Sequence, residues 1–248
     1  MKIWQWVLLC VLGFFIFLVA NAPATLLYRF IPEHSDIAVV QPSGTLFNGK
    51  MASLGYKGIV LDDFSWTLSP VSLFLGKATL DIKGGDLRHA QKASAEGEVS
   101  VSLFNLSHIS ASDLIVSVPI KSVLAQVNLP VQISAKGKVR VDIDVASVTE
   151  QCLELAGTGN WNNASIDLNQ QAVSLGSFIA DLSCEDGAFA AQVGGDNKFD
   201  LDATFILSTD GRLLQSGTFQ LDPSLPQAMR QAAVFFGDPG PSGRYVLR

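Results

Sequence analysis

The residues able to do chemistry are few and scattered. His34, His89 and His108 stand apart in loop-like surroundings. None has the H-E-x-x-H spacing that sets two ligands on one helix face, and a histidine acquires a catalytic reading only beside a positioned partner. The chain has no G-x-S-x-G elbow, no phosphate-binding loop and no C-x-x-C pair. Gly194-Gly195-Asp196-Asn197 lacks the helix start that a phosphate cradle needs and reads as a hairpin turn. Asp142 with Asp144, and Asp200 with Asp202, are carboxylates two apart on predicted strands, which places each pair on one face about 7 Å apart. With further oxygen ligands such a pair could hold calcium, but both lie on the polar side of an amphipathic strand, where charge is expected anyway. The expectation is a protein with no catalytic residue, no cofactor and no metal.

Covalent chemistry is confined to cysteine. Cys10 lies in a long apolar stretch, which leaves Cys152 and Cys184 as a pair in the remainder. Outside a reducing compartment such a pair is a disulfide candidate. Strand parity speaks against it: Cys184 shares a face with Phe178, Ala180 and Leu182, whereas Cys152 alternates with Leu153 and Leu155.

The elements that must position these residues begin with Ile3 to Ala20, IWQWVLLCVLGFFIFLVA, which carries no charge. At 1.5 Å per residue some 18 to 20 apolar residues nearly match a hydrocarbon core of about 30 Å. This predicts a transmembrane helix with Trp4 and Trp6 at the interface. A cleavable signal peptide ending at Ala20-Asn21-Ala22 competes with it. The apolar run exceeds a usual h-region, and Pro23 would sit just after the cut, so a retained anchor is the preferred reading. Lys2 and the amino terminus favour the cytoplasmic side, which places the main body outside the cytoplasm.

Beyond Pro32 the pattern alternates. In Lys136–Val145, Lys136, Lys138, Arg140, Asp142 and Asp144 fall on one face, and Val139, Val141, Ile143 and Val145 on the other, the pattern of a half-buried antiparallel strand. Weaker alternation recurs around Phe64-Trp66-Leu68, Ala78-Leu80-Ile82, Val99-Val101-Leu103, Ile166-Leu168, Phe178-Leu182, Leu201-Phe205-Leu207 and Phe219-Leu221. Turn signals such as Glu185-Asp186-Gly187 and Thr209-Asp210-Gly211 separate the segments. Short helices are predicted over 69–76, 119–127 and 224–236. The net charge of -6, with 17 basic residues scattered among 23 acidic ones, excludes a nucleic-acid footprint. Gly44–Ser53 faintly resembles Gly157–Ser165, which raises the question of a duplicated β unit.

These residues resemble the type II secretion system protein N family. The likeness runs from Pro23-Ala24 through Ser43-Gly44-Thr45-Leu46-Phe47-Asn48-Gly49, Phe64-Ser65-Trp66-Thr67-Leu68-Ser69-Pro70 and Gly76-Lys77-Ala78. It continues in Gly157-Thr158 to Trp161-Asn162-Asn163-Ala164, Leu182 to Gly187, and Gly243-Arg244-Tyr245. Phe47 stands where the family more often has Trp. The family also looks related to AsmA-like proteins, whose curved sheets enclose an apolar trough. The resemblance implies a single-pass inner-membrane accessory component of the machine that exports folded proteins across the outer membrane. Its partners would be other components of that machine.

The expected organisation is a tip and transmembrane helix over 1–22, a membrane-proximal linker over 23–36, and a periplasmic domain over 37–248. That domain is expected to be mainly β, a curved and largely antiparallel many-stranded sheet, either one unit or two divided near 135/136. Gly44, Thr45, Leu46, Phe47, Gly49, Trp66, Pro70, Gly76, Gly157 and Trp161 are the positions singled out. A lipid or apolar-ligand carrier is the alternative function.

Overall fold

The computed structural model describes residues 3–29, 36–86, 89, 91–125, 134–168 and 171–247. Ile3–Ala20 forms helix α1, 18 residues and about 27 Å long. Asn21 ends it, its backbone N–H and side-chain amide both donating to the Phe17 carbonyl, and Pro23 cannot continue it. Trp4, Trp6, Phe14 and Phe17 of α1 are exposed. Several α1 side chains lie outside the described residues, and among the described residues no helix is long and apolar enough to cross a membrane. The transmembrane role of Ile3–Ala20 therefore rests on the sequence. A 3-10 turn, Ala24–Arg29, follows; residues 30–35 of the expected linker, with His34, lie outside the described residues.

The described residues beyond it form, with short helical segments, one open antiparallel sheet of 15 strands. In chain order these are β1 (Ile37–Val40), β2 (Ser43–Gly44), β3 (Asn48–Tyr56), β4 (Ile59–Leu68), β5 (Lys77–Gly85), β6 (Ser94–Ser102) and β7 (Ile109–Pro119). There follow β8 (Ser134–Lys136), β9 (Lys138–Val148), β10 (Cys152–Leu168), β11 (Gln171–Glu185), β12 (Ala188–Gly194), β13 (Asp202–Leu207), β14 (Leu213–Phe219) and β15 (Tyr245–Leu247). The order is sequential, with β2 paired to β3 and β8 to β10 off the main path. The ladder runs unbroken across the 135/136 division, because β9 pairs with β7 on one side and β10 on the other. Helices are short: α2 (Pro70–Phe74), α3 (Ile120–Leu124) and α4 (Gln227–Ala232), with a 3-10 turn over Ala233–Phe236.

Cross-strand partners share a face, so the registers can be followed from strand to strand. One row runs Gly84, Ala95, Val116, Val141, Gly159, Ala180, Val193, Ala203, Gly217, Leu247, apolar from β5 to β15. The neighbouring row on the other face runs Ser65, Lys83, Glu96, Ile115, Asp142, Thr158, Asp181, Gln192, Thr204, Ser216, polar at every strand but one. Lys83 pairs with Glu96 at 3.0 Å within it.

Irregularities decide which residues belong to which face. Val145 departs from the expected inward row of Val139, Val141 and Ile143. The ladder to β10 slips between Gly157 and Ala156, so Asp144 is an extra residue. Val145 then pairs with Ser112, itself opposite Glu98, and joins the polar side. Lys136, expected in the same strand, belongs to β8, separated from β9 by Gly137 at φ +106. Asp200 lies before β13 at positive φ, not on the strand with Asp202, and Arg244 grips its carboxylate. The predicted Ser69 cap of α2 is not made; Ser72 Oγ instead bonds the Ser69 carbonyl and receives the Thr79 N–H.

The same device joins the cysteines. Leu153 is an extra residue between Cys152 and Glu154, so Cys152 pairs with Val148 on the apolar side. Leu153 is 56% exposed while Cys152 is 4% exposed. Cys152 and Cys184 are disulfide-bonded, with Cα atoms 5.6 Å apart, just beyond Gly157 and Leu182 where pairing of β10 with β11 stops. The bond closes a loop of sequence separation 32.

Two outcomes are expected. Replacing both cysteines by alanine should lower unfolding free energy by about 3 to 4 kcal/mol, seen as an earlier urea midpoint that no longer responds to reductant. Asp222, which accepts the Ser224 N–H at 2.7 Å, has its carboxyl held below the ordinary range by the Ser224 hydrogen bonds and then by Lys198. A depressed carboxyl contributes stability above its unfolded value, about pH 4, and loses it as pH falls through the lower folded value. Asp222→Asn should flatten that part of the urea-midpoint profile.

Candidate functional site

Six of the positions singled out in the sequence, Gly44, Thr45, Leu46, Phe47, Gly49 and Trp66, meet at the junction between α1 and the sheet. Thr45 donates its N–H to the Asn48 carbonyl at 2.9 Å, and Asn48 returns its own to Thr45 Oγ1 at 3.1 Å, closing the loop of Gly44-Thr45-Leu46-Phe47-Asn48-Gly49. Leu46 is held through both backbone groups. Its N–H donates to the Ala22 carbonyl at 2.9 Å, and its carbonyl accepts the Trp66 indole N–H at 3.0 Å. Pro23 forms a bridge with Thr45. The Phe47 carbonyl accepts the Leu68 N–H at 2.7 Å, tying the loop to the end of β4.

Beneath this frame Ala24 is fully buried with Met51, Phe64 and Trp66, backed by Val39, Leu54, Leu61, Leu80 and Ile82. Gly49 lies opposite Trp66 in the register, and a Cβ there would run into the indole ring. The residue leaving the helix thus becomes part of the sheet's core. A tryptophan supplies both the apolar floor and the one donor that the Leu46 carbonyl needs.

The other singled-out residues lie elsewhere. Pro70 starts α2, and Gly76, at φ +76, follows its end with the Phe104 ring against its Cα, where a side chain has no room. Gly157 sits between Ile143 and Leu182 in the middle of the apolar face. Trp161 stacks on Phe178 at 5.5 Å within a second cluster formed by Ile120, Ala135, Ala164, Ile166, Leu175 and Leu225. Near it an apolar hollow of about 280 Å³ is lined by Trp161, Leu175, Phe178, Phe199, Leu201, Phe219, Phe236 and Leu247. Sequence reasoning missed this hollow, because Phe199 and Phe236 reach it from a loop and a 3-10 turn that have no alternation to betray their direction.

The chemical candidates do not assemble. His108 Nε2 lies 2.9 Å from Ser147 Oγ and His89 Nδ1 2.6 Å from Asp86. Among the described residues no carboxylate bonds the second nitrogen of His108, as an activated serine would require. Asp142 is engaged by the Arg140 guanidinium, which that pairing holds above its ordinary pKa. Among the described residues no group of three ligating side chains could hold a metal ion.

The fold and the junction define a one-sheet β protein, apolar on one face and polar on the other, fastened by its first strands to the exit of an apolar helix. Residues 35–248 match the family described as type II secretion system (T2SS), protein N. The chain belongs to that family. It is 25% identical over 230 residues to the type II secretion system protein N of Vibrio cholerae, covering 92% of this chain and 89% of the relative. The protein of the same name from Aeromonas hydrophila is 27% identical over 237 residues, covering 94% and 91%. That of Pectobacterium carotovorum is 23% identical over 239 residues, covering 96% and 92%. No solved structure matches the chain.

Gly49→Ala should cost about 1 to 3 kcal/mol through overpacking against Trp66. Trp66→Phe should cost about 1 kcal/mol by leaving the Leu46 carbonyl without its donor. Urea unfolding of the two variants, with Gly194→Ala as a control whose Cβ has room, measures both.

Proposed function

We propose that this protein is an envelope-associated component of the type II secretion system, held in the inner membrane by α1 with its sheet on the periplasmic side, where it acts by protein contact. Membership of the protein N family carries the reading. The uncharged α1 is about as long as a hydrocarbon core is thick, which supports the anchor. Retention is supported at the junction. The peptide bond a signal peptidase would cut, Ala22 to Pro23, has its carbonyl bonded to Leu46 and its proline bridged to Thr45.

Contact has a physical basis in the two ends of the sheet. The terminal strands β1, Ile37-Ala38-Val39-Val40, and β15, Tyr245-Val246-Leu247, carry no charge. Natural edges are ordinarily blunted by lysine, proline or a covering element, and an apolar edge offers main-chain hydrogen bonds to an added strand. A tethered edge also meets membrane partners at high effective concentration.

A photocrosslinker at Val40, 44% exposed in β1, tests this in intact cells. The expected result is a full-length chain in the membrane fraction, crosslinked to secretion-system components identified by mass spectrometry. A shortened chain in the soluble periplasmic fraction would overturn the anchor, and absence of any secretion-system adduct would overturn action by contact at this edge.

A further inference from the structure

One rim of the sheet gathers the exit of α1 and a run of protruding apolar side chains. The registers fix that rim: Asn48 pairs with Thr67, Leu68 with Leu80, Lys77 with Ser102, and Ile109 with Val148. The Gly44–Gly49 loop that holds Ala22, the helix α2 and the β6–β7 turn therefore stand side by side. The last two are joined directly, since the Gly76 carbonyl accepts the Leu103 N–H at 2.8 Å. From this rim Phe74, 92% exposed, and Phe104, 90% exposed, project together with the exposed Val71, Leu75 and Leu106. A contiguous apolar patch of this kind marks a surface that meets another phase or molecule.

Shape, main chain and charge select what meets it. Rings nine-tenths exposed stand on convex tips, a form that enters a fluid layer without needing a matching pocket. The main chain of the tips is already paired. Leu75 and Gly76 donate to the Ser72 and Leu73 carbonyls, Asn105 donates to Ser102 Oγ, and His108 donates to the Asn105 carbonyl. These N–H groups are closed to an added strand and enter an apolar layer without loss. The chain has 23 acidic residues, yet 43–50, 67–79 and 101–109, the segments of this rim, contain none. Their lysines are Lys50 and Lys77, which an anionic headgroup layer attracts. Farther from α1 the turns of the same rim become acidic, with exposed Glu150 after β9, Glu185-Asp186 after β11 and Asp210 after β13. The acid-free stretch thus coincides with the apolar tips and the helix exit.

We infer that the rim formed by α2 and the β6–β7 turn seats in the interfacial layer of a bilayer surface, with Phe74, Leu75, Phe104 and Leu106 reaching the acyl boundary and the acidic turns beyond β9 left in water. The sheet is then held at the membrane in two places, by α1 and by this rim, which fixes how it stands there. The contact is with the surface of the bilayer and is not a ligand site. That the bilayer is the one α1 crosses rests on the anchored reading proposed above.

The test reconstitutes the full chain, carrying Cys10→Ser, in vesicles of phosphatidylethanolamine and phosphatidylglycerol. An environment-sensitive fluorophore is attached to one new cysteine at a time. Phe74→Cys and Leu106→Cys report on the rim, Tyr56→Cys on the opposite rim, Thr209→Cys on the β13–β14 turn, and Val11→Cys on α1. Blue-shifted emission that nitroxide-labelled lipid quenches is expected at Phe74 and Leu106, with neither effect at Tyr56 or Thr209. The two rim labels stand on separate turns, and persistence of the Cys152–Cys184 bond on a non-reducing gel shows that each labelled chain is folded. Unshifted and unquenched labels at Phe74 and Leu106 would overturn the inference whatever Val11 shows. A blue shift there without quenching would assign the rim to a second copy and overturn it, and so would equal quenching at every sheet position. Quenching at Phe74 and Leu106 without quenching at Val11 would uphold the rim contact and overturn only the anchor.

Discussion

Every strand of this sheet must present its apolar residues to the same side as its neighbours, because slipping one strand by one residue would turn its whole set to the other face. That constraint explains why the irregularities come where they do. Asp144 and Leu153 are extra residues, and each reverses the alternation beyond it: Val145 passes to the polar side, and Cys152 comes to the apolar side. Asp63, Asp113 and Asn163, at positive φ within β4, β7 and β10, mark further kinks where asparagine or aspartate takes the conformation at the least cost available to a residue with a side chain.

The junction extends the constraint to the helix. Ala22, Pro23 and Ala24 are bonded, bridged and buried in turn against the Gly44–Gly49 loop and Trp66. The sheet therefore does not hang from a loose tether. Its first strands are fixed to the helix exit, and its apolar side is continuous with the residues that leave that helix. This sets which end of the sheet lies beside α1 and leaves β15 at the opposite edge. Arg244 steadies that edge by reaching back to Asp200 and, at 2.8 Å, to the Thr218 hydroxyl.

Among the described residues the groups that might have done chemistry do not gather into one site. His108 is paired with Ser147, His89 with Asp86, and Asp142 with Arg140. Among the described residues the features left over are an apolar face covered only in part, by Ile120, Leu225 and Met229 near Trp161, and two uncharged sheet edges. Both are features whose free energy falls on contact with another molecule.

The sequence by itself determined the apolar helix, the antiparallel β class and most strand positions, because those depend on local length and period alone. Gly44, Thr45, Leu46, Phe47, Gly49 and Trp66 are among the ten positions picked out, but no local pattern ties them to the helix exit, and the family match places the chain. Only the tertiary structure decided that these residues enclose Ala24, that Val145 faces the polar side, and that Cys152 meets Cys184. The last two turn on a single inserted residue, which reverses parity without changing composition or pattern. The aromatic hollow was likewise decided in three dimensions. Phe199, Phe219 and Phe236 come from a loop, a strand and a 3-10 turn, and no local period can say that they converge.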